Sequence, residues 1–499
     1  MKNVRSDLPS LKSLLPDCPG VPDYLLIRNV VLDNRDVRAG DLYIARSGTQ
    51  HKGVDFVIPA ISAGASAVIM HASEYHSGLD AYADWVFPVA NLNQVAGEVI
   101  SRYYQCPSEA IKVIGVTGTN GKTSCSHFIA QALNQLGEKA AIVGTIGNGF
   151  LSSLDRSTHT TPDVLSVHQL LASYQQAGAD TVVMEVSSHA LDQARTAGVQ
   201  FRQVGFTNLT RDHLDYHQSM AAYADSKRRL FEQAGSEQIL NLDDAFGCEL
   251  AEQSKAKGHK VITYSLLDQS ADLWVKTSEL HDEGMSFAVA SPWGEISASS
   301  SLIGRFNLSN LLLTAASLGL SGYDACRISW ALTQVSAVCG RMEKVSSAGE
   351  PLVLVDYAHT PDALLQTLSA LNEHRKTASR IICVFGCGGD RDQGKRPLMA
   401  QVASSLADQL IITSDNPRFE EPHKIIEQVL SGVSALHHPQ VEADRAAAIA
   451  IAIEQASAED IVLIAGKGHE DYQEVQGERR PFSDQAVARD VLKSRRAAC

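Results

Sequence analysis

The chain of 499 residues has no basic excess: 43 lysines and arginines stand against 57 aspartates and glutamates, a formal net charge of −14. Proteins that bind nucleic acid or lie on anionic membranes usually carry a basic stripe, so neither partner is expected, although local basic groups can still hold a small anion. Long apolar runs are missing too. No segment approaches the roughly 18 apolar residues of a membrane-spanning helix, and Met1 to Gly20 lacks the apolar core of about 7 to 15 residues found in a secretory signal. A cytoplasmic location is expected. The nine cysteines are odd in number and scattered without a CxxC pair, which argues against a disulfide framework or a zinc site and for reduced thiols. There is no low-complexity tract or internal repeat. What remains is ordinary for a folded protein, with 44% hydrophobic and 20% charged residues.

At roughly 100 to 200 residues per domain, the length predicts three domains. From Lys112 onward, strand-like runs ("KVIGV", "AAIVG", "DTVVMEV", "VGFTN", "QILNL") alternate with helix-period segments such as "TSCSHFIAQALNQLG". This pattern predicts a largely parallel sheet covered by helices. A second α/β series starts near Glu350 with "PLVLVDYAH", "RIICVFG", "QLIITSD" and "DIVLIAG". A smaller mixed α/β segment precedes both. The expected fold is therefore α/β in three domains: a small N-terminal domain over 1–108, a central ATPase-type domain over 109–338, and a Rossmann-like C-terminal domain over 339–499.

The strongest motif is "VIGVTGTNGKTSCSHF", a glycine-rich turn between a buried strand and a helix, with Lys122 and Thr123 at the junction. Backbone N–H groups there can ring a polyphosphate, Lys122 can reach its outer groups, Thr123 can ligate Mg²⁺, and the helix N-terminus adds a field favourable to the phosphates. The spacing is a variant: Val116 stands where GxxxxGK[ST] has its first glycine, and the glycines fall at 115, 118 and 121. Glu185 ends the strand of "VVMEVSSHAL", where a carboxylate lies at the ligand-bearing edge of a parallel sheet and can hold Mg²⁺ directly or through water. Asn208, Asp212 and His213 of "FTNLTRDHLDYH" end a neighbouring strand in the same way. Read from the residues alone, Lys227 beside Arg228 and Arg229 is a solvated basic helix face.

Together "GVTGTNGKTS", "MEVSSHAL", "NLTRDHLDYH", "FNLSN", "VDYAHTPDAL", "GCGGDRDQGKRP", "TSDNPR" and "GKGHE" resemble the Mur ligases, over almost the whole chain and in family order. The resemblance implies an ATP- and Mg²⁺-dependent amide-bond-forming enzyme of peptidoglycan synthesis that works through an acyl phosphate, as a monomer. It also implies a UDP-substrate domain, a central ATPase and a C-terminal amino-acid domain. The implied partners are UDP-N-acetylmuramoyl-L-alanyl-D-glutamate, meso-2,6-diaminopimelate and ATP. ATP would be held by Gly118, Thr119, Asn120, Gly121, Lys122, Thr123, Ser124 and Asn310, with Arg341, Asp356 and His359 brought up by domain closure. Lys122, Glu185, His213 and Lys227 form the implied catalytic set. Thr123, Glu185 and His213 would be metal ligands, together with Lys227 as a carbamate. Leu32, Asn34, Thr49, Gln50, His51, His159, Thr160, Thr161, Ser187, Gln193 and Arg195 match the UDP-substrate positions. Asn34 replaces a frequent serine there, and His159 a frequent asparagine.

"ITSDNPRFEEP" follows a buried strand with residues of both charge signs. On its own it reads as an Asx-Pro turn whose arginine faces water. Within the resemblance, Arg418 and Arg391 would grip a distal carboxylate, and Asp415, Asn416 and Glu470 would accept from a distal ammonium. Pro417 shapes the turn, and Gly466 leaves room for close approach. Rival readings are a lysine-adding Mur ligase, which usually departs from DNPR, and a folylpolyglutamate synthetase, which does not account for "TSDNPR", "GKGHE" or the N-terminal segment. A non-catalytic nucleotide-binding scaffold is opposed by the intact set of Lys122, Thr123, Glu185 and His213. A dinucleotide-dependent dehydrogenase is disfavoured because Arg391 stands where GxGxxG needs its third glycine.

Overall fold

The computed structural model describes residues 8–48, 51–232, 235–281, 284–347, 349–376, 378–434 and 438–498. Among the described residues, three large sheets follow one another along the chain. The first has four parallel strands, Val30–Val31, Leu42–Ala45, Ala67–His71 and Val86–Val89. The central sheet has eleven strands, and its parallel heart runs in the order Val261–Ser265, Glu237–Asn241, Gln203–Phe206, Lys112–Thr117, Thr181–Glu185, Ala140–Val143. The third has six strands, with Leu352–Asp356, Ile461–Ala465, Ile381–Phe385 and Gln409–Ile412 parallel at its centre.

Strands buried on both faces need continuous apolar runs, and the third sheet shows why. Leu354, Cys383, Phe385 and Leu463 project into one core cluster, while Val353, Val355, Ile382, Val384 and Val462 project into the other. The central sheet divides in the same way between two cores. The helix after the phosphate loop, Lys122–Gln135, packs against Arg305–Leu320, a helix apolar on nearly every side. Gly304 caps that second helix without a side-chain hydrogen bond.

The central sheet also departs from the expectation of a largely parallel sheet at both edges. Leu273–His281, Gly284–Ala290 and Ile296–Ser300 form an antiparallel ribbon on one side, and Asn148–Phe150 with Ser153–Asp155 form another on the opposite side. A separate hairpin, Tyr472–Val475 with Glu478–Pro481, stands beside the third sheet. Among the described residues, no helix is long and apolar enough to cross a membrane.

Candidate active site

The central strand Lys112–Thr117 delivers the glycine-rich turn, and its neighbours enclose it. Gly118 has φ of +152°, and a Cβ there would fall 1.8 Å from Thr207 Oγ1, so the approach of the two strand ends requires glycine. The N–H of Asn120 donates to Asn208 Oδ1 at 2.9 Å, and the N–H of Thr119 donates to the Asn208 carbonyl at 2.8 Å. Thr207 Oγ1 donates to the Asn120 carbonyl at 2.6 Å. Asn208 thus shapes the loop from below. Asn310 lies buried beside Gly121, with its amide donating to Asn307 Oδ1 at 3.1 Å.

Two lysines meet at the turn. Lys122 Nζ donates to the carbonyls of Gly118 and Thr119, both at 2.9 Å. Lys227 Nζ donates to the same Gly118 carbonyl at 2.8 Å. Lys227 is 1% exposed, which overturns the solvated-face reading of its helix, Met220–Arg228. Burial pushes its amine well below the ordinary lysine range, Lys122 adds repulsion, and Asp212 opposes the shift.

Glu185 is fully buried at the end of its strand. Its carboxylate accepts from Thr123 Oγ1 at 2.8 Å, from the Thr145 N–H at 2.8 Å and from Thr145 Oγ1 at 3.0 Å. A hydroxyl and a carboxylate therefore face each other where the helix begins, a donor pair suited to a hard cation. His213 sits on the next loop at φ of +53°, with Nε2 3.4 Å from Asp212 Oδ2. Its ring packs edge-on against His189, 4.9 Å between centroids. Burial lowers its pKa, Asp212 opposes, and Lys122 and Lys227 add to the fall. Among the described residues, no cluster of three or more His, Cys, Asp or Glu could hold a metal by itself.

The third sheet reaches this site through Arg341, whose Nη2 donates to Thr123 Oγ1 at 3.4 Å and whose guanidinium lies 4.5 Å from the Tyr357 ring centroid. Tyr357 also touches the rings of His359 and His469. Asp356 is occupied locally, accepting from the N–H groups of Met342 and Ala358 and from Thr367. Asp362, not singled out in the sequence, opens the helix Pro361–His374 and accepts from Asn120 Nδ2 and Thr210 Oγ1, both at 3.1 Å. A second bridge joins Arg156 to Asp471.

On the opposite flank, Thr161, Ser187, Gln193 and Arg195 come together. Arg195 donates to Gln193 Oε1 and to the Thr161 carbonyl, and the Ser187 N–H donates to Thr161 Oγ1. Arg46, also missed in the sequence, ties the first sheet to them by donating to the Gln193 carbonyl at 2.7 Å. Thr160 accepts from Thr145. His159 is exposed, Leu32 and Asn34 are partly buried in the first sheet's region, and His51 packs against Phe56. Thr49 and Gln50 lie outside the described residues.

The loop after Gln409–Ile412 is more enclosed than an exposed turn. Asp415 and Asn416 are buried, and a Cβ on Gly466, at φ of +117°, would fall 2.7 Å from Asp415 Oδ2. Asn416 Nδ2 donates to Glu470 Oε2 at 2.8 Å, and Lys467 Nζ donates to the same oxygen at 2.9 Å. Arg418 Nη1 donates to the Gly389 carbonyl at 2.7 Å, and its side chain is 19% exposed. Arg391 is exposed on that glycine-rich loop, and its Nη1 donates to the Asp390 carbonyl at 3.4 Å. Lys467 carried no sequence signal except its place inside "GKGHE".

A glycine-rich phosphate-type loop flanked by a buried carboxylate, and approached by a second α/β unit with its own polar loop, fits a nucleotide-dependent enzyme. Three family models match: Mur ligase family, catalytic domain, over residues 26–141; Mur ligase middle domain over 116–318; and Mur ligase, glutamate ligase domain, over 340–468. The chain belongs to the Mur ligase family of ATP-dependent amide-bond-forming ligases.

Its similar relatives include proteins named UDP-N-acetylmuramoyl-L-alanyl-D-glutamate--2,6-diaminopimelate ligase. One from Chromobacterium violaceum is 46% identical over 99% of each chain, and one from Pseudomonas aeruginosa is 48% identical over 94% of this chain and 95% of its own. A solved structure of a ligase of that name aligns over 98% of this chain and 100% of its own, with TM-score 0.76 and 36% identity. A Mycobacterium tuberculosis folylpolyglutamate synthase complexed with ADP and AMPPCP shares the fold, with TM-score 0.61 and 15% identity over 74% of this chain and 91% of its own.

Proposed function

We propose that this protein joins meso-2,6-diaminopimelate to UDP-N-acetylmuramoyl-L-alanyl-D-glutamate with ATP, in peptidoglycan synthesis. The observation that carries the reading is the end-to-end identity of 46% with a relative of that name. A carboxylate does not condense with an amine unaided. The D-glutamyl carboxylate attacks the terminal phosphorus of ATP, ADP departs, and the acyl phosphate is opened by the diaminopimelate amine with release of phosphate. The main obstacle is repulsion among anions, so positioning and electrostatic stabilisation are the main source of rate.

Lys122 and the N–H groups of the 118–124 turn hold the phosphates. Asn310, Arg341 and His359 complete the nucleotide site, and Asp356 fixes the turn that carries Arg341. Arg195, held by Gln193 and Thr161, faces the anionic muramoyl dipeptide, with Ser187 and Thr160 beside it. Thr123, Glu185 and His213 would hold Mg²⁺, which supplies charge neutralisation to the phosphates when bound. Lys227 is carbamylated: its amine, pushed toward the neutral form by burial, adds to the carbon of CO₂ and loses a proton, which places an anionic oxygen donor there. A Lys227→Ala variant is expected to lose most activity, and intact mass in bicarbonate should show the added carbamate; a free amine with full activity of the variant would refute it.

The loop Asp415–Arg418 with Glu470 receives the distal amino-acid head of diaminopimelate. Phosphate release from ATP with the UDP-muramoyl dipeptide, measured with diaminopimelate and with L-lysine, tests the whole reading. Turnover with diaminopimelate at least tenfold above lysine is expected, on the order of what an unpaired guanidinium costs. Equal use of lysine would refute the assignment of the amine.

A further inference from the structure

We infer that Lys467 is a positioning residue for amine selection: it locks Glu470 and Asn416 into one arrangement that offers a single acceptor to the incoming substrate's distal ammonium. The inference rests on the assignment of this loop to the amino-acid substrate.

Lys467 is fully buried, one residue beyond the strand Ile461–Ala465 and Gly466. A buried ammonium requires partners, and this one has two oxygen acceptors and the Tyr472 ring, whose centroid lies 5.5 Å away. Nζ donates to Glu470 Oε2 at 2.9 Å and to Asn416 Oδ1 at 3.1 Å. The Glu474 N–H donates to that same Oδ1 at 2.9 Å. Two donors on one oxygen fix which end of the Asn416 amide faces which way, because the amide nitrogen could accept from neither. The fixed Nδ2 then donates to Glu470 Oε2 at 2.8 Å.

Three side chains thus form a closed triangle: ammonium to amide oxygen, amide nitrogen to carboxylate, and ammonium to carboxylate. Both donors converge on Oε2, so Glu470 is held by one oxygen while Oε1 has no protein partner among the described residues. Arg418 shows the same division on the opposite sign. Its Nη1 is taken by the Gly389 carbonyl and its Nε lies 3.8 Å from Glu474 Oε2, while Nη2 has no partner among the described residues.

One carboxylate oxygen, Glu470 Oε1, and one guanidinium nitrogen, Arg418 Nη2, are therefore left without protein partners among the described residues. These match the ammonium and carboxylate of a single amino-acid head. Lys467 touches neither end of that head. Its role is to stop Glu470 from rotating to present both oxygens, and to keep Asn416 from flipping its amide into the pocket.

The test is a double-mutant cycle on the full-length enzyme with Lys467→Met and Glu470→Gln, plus Lys467→Gln, which keeps a neutral donor in the buried position. KM for diaminopimelate, KM for ATP, kcat and the thermal midpoint are measured for each. Lys467→Met is expected to raise the diaminopimelate KM about tenfold or more, as loss of a charged hydrogen bond does, with ATP KM changed less than about twofold. Lys467→Gln should recover part of the loss, and Lys467→Met should add little further loss in the Glu470→Gln background. Additive losses, or a fall in the thermal midpoint with ATP and diaminopimelate KM rising together, would overturn the inference alone. A wild-type enzyme that does not turn over diaminopimelate would overturn the substrate assignment as well.

Discussion

Arg418 holds a left-handed φ of 50° although it has a full side chain, a conformation that costs on the order of 1 to 2 kcal/mol outside glycine. Such strain persists where surroundings over-determine it. Here the Arg418 N–H donates to the Glu474 carbonyl, and its own carbonyl accepts from the Gln476 N–H. Arg418→Ala is expected to lower diaminopimelate turnover by about tenfold to several hundredfold, with ATP KM nearly unchanged. Steady-state kinetics with each substrate varied will show it. The motif was visible in the sequence, but its enclosure was not, because the hairpin that covers it lies more than fifty positions later in the chain.

His127 gives a second prediction at this scale. It is buried behind the phosphate loop with Nε2 unpartnered, and burial lowers its pKa to about 4, helped by Arg341 and His469. The folded protein keeps the ring neutral while the unfolded chain binds a proton below about 6.5. Stability is therefore complete above that value and falls as pH drops from about 6.5 toward 4. The thermal midpoint should decline across that window, and His127→Gln should decline less steeply.

Among elements, the strand-turn-helix of the phosphate loop is the one most completely written into local sequence, because a strand, glycines and a helix start act within twenty residues. Lys227 is the opposite case: the helix Met220–Arg228 looks basic and solvated, and only its packing under Gly118 buries the lysine. The ribbon strand Ile296–Ser300 also left little trace, since "ISASS" is mostly small residues that no propensity marks strongly as strand. Gly118→Ala is expected to abolish measurable nucleotide binding, because the new methyl would collide with Thr207 while the backbone stays at positive φ. Isothermal titration with ADP will test it, with the thermal midpoint as a control for folding.

For the whole molecule, the expected three-part α/β organisation is reflected in three successive sheets, and what sequence could not supply is how they touch. Asp362 and Arg341 reach the phosphate loop from the third sheet's region, Asp471 bridges to Arg156, and Arg46 reaches in from the first. These contacts join residues 147 to 315 positions apart, beyond any local pattern. Asp362→Ala removes the acceptor shared by Asn120 and Thr210. It is expected to raise the ATP KM about threefold to tenfold, as loss of one or two hydrogen bonds does, and to increase the radius of gyration measured by X-ray scattering. An unchanged radius and KM would show that the contact does not hold the units together.

The triangle of Asn416, Lys467 and Glu470 lies entirely on loops of the third sheet and its hairpin, and none of its hydrogen bonds reaches the central sheet. If this loop selects the amine, as proposed, amine choice and phosphate chemistry are separately inheritable. A lineage can change which amino acid it accepts by drift in one region of the C-terminal unit while the ATP-handling sheet stays fixed, and a graft of that region between homologues should carry the preference with it.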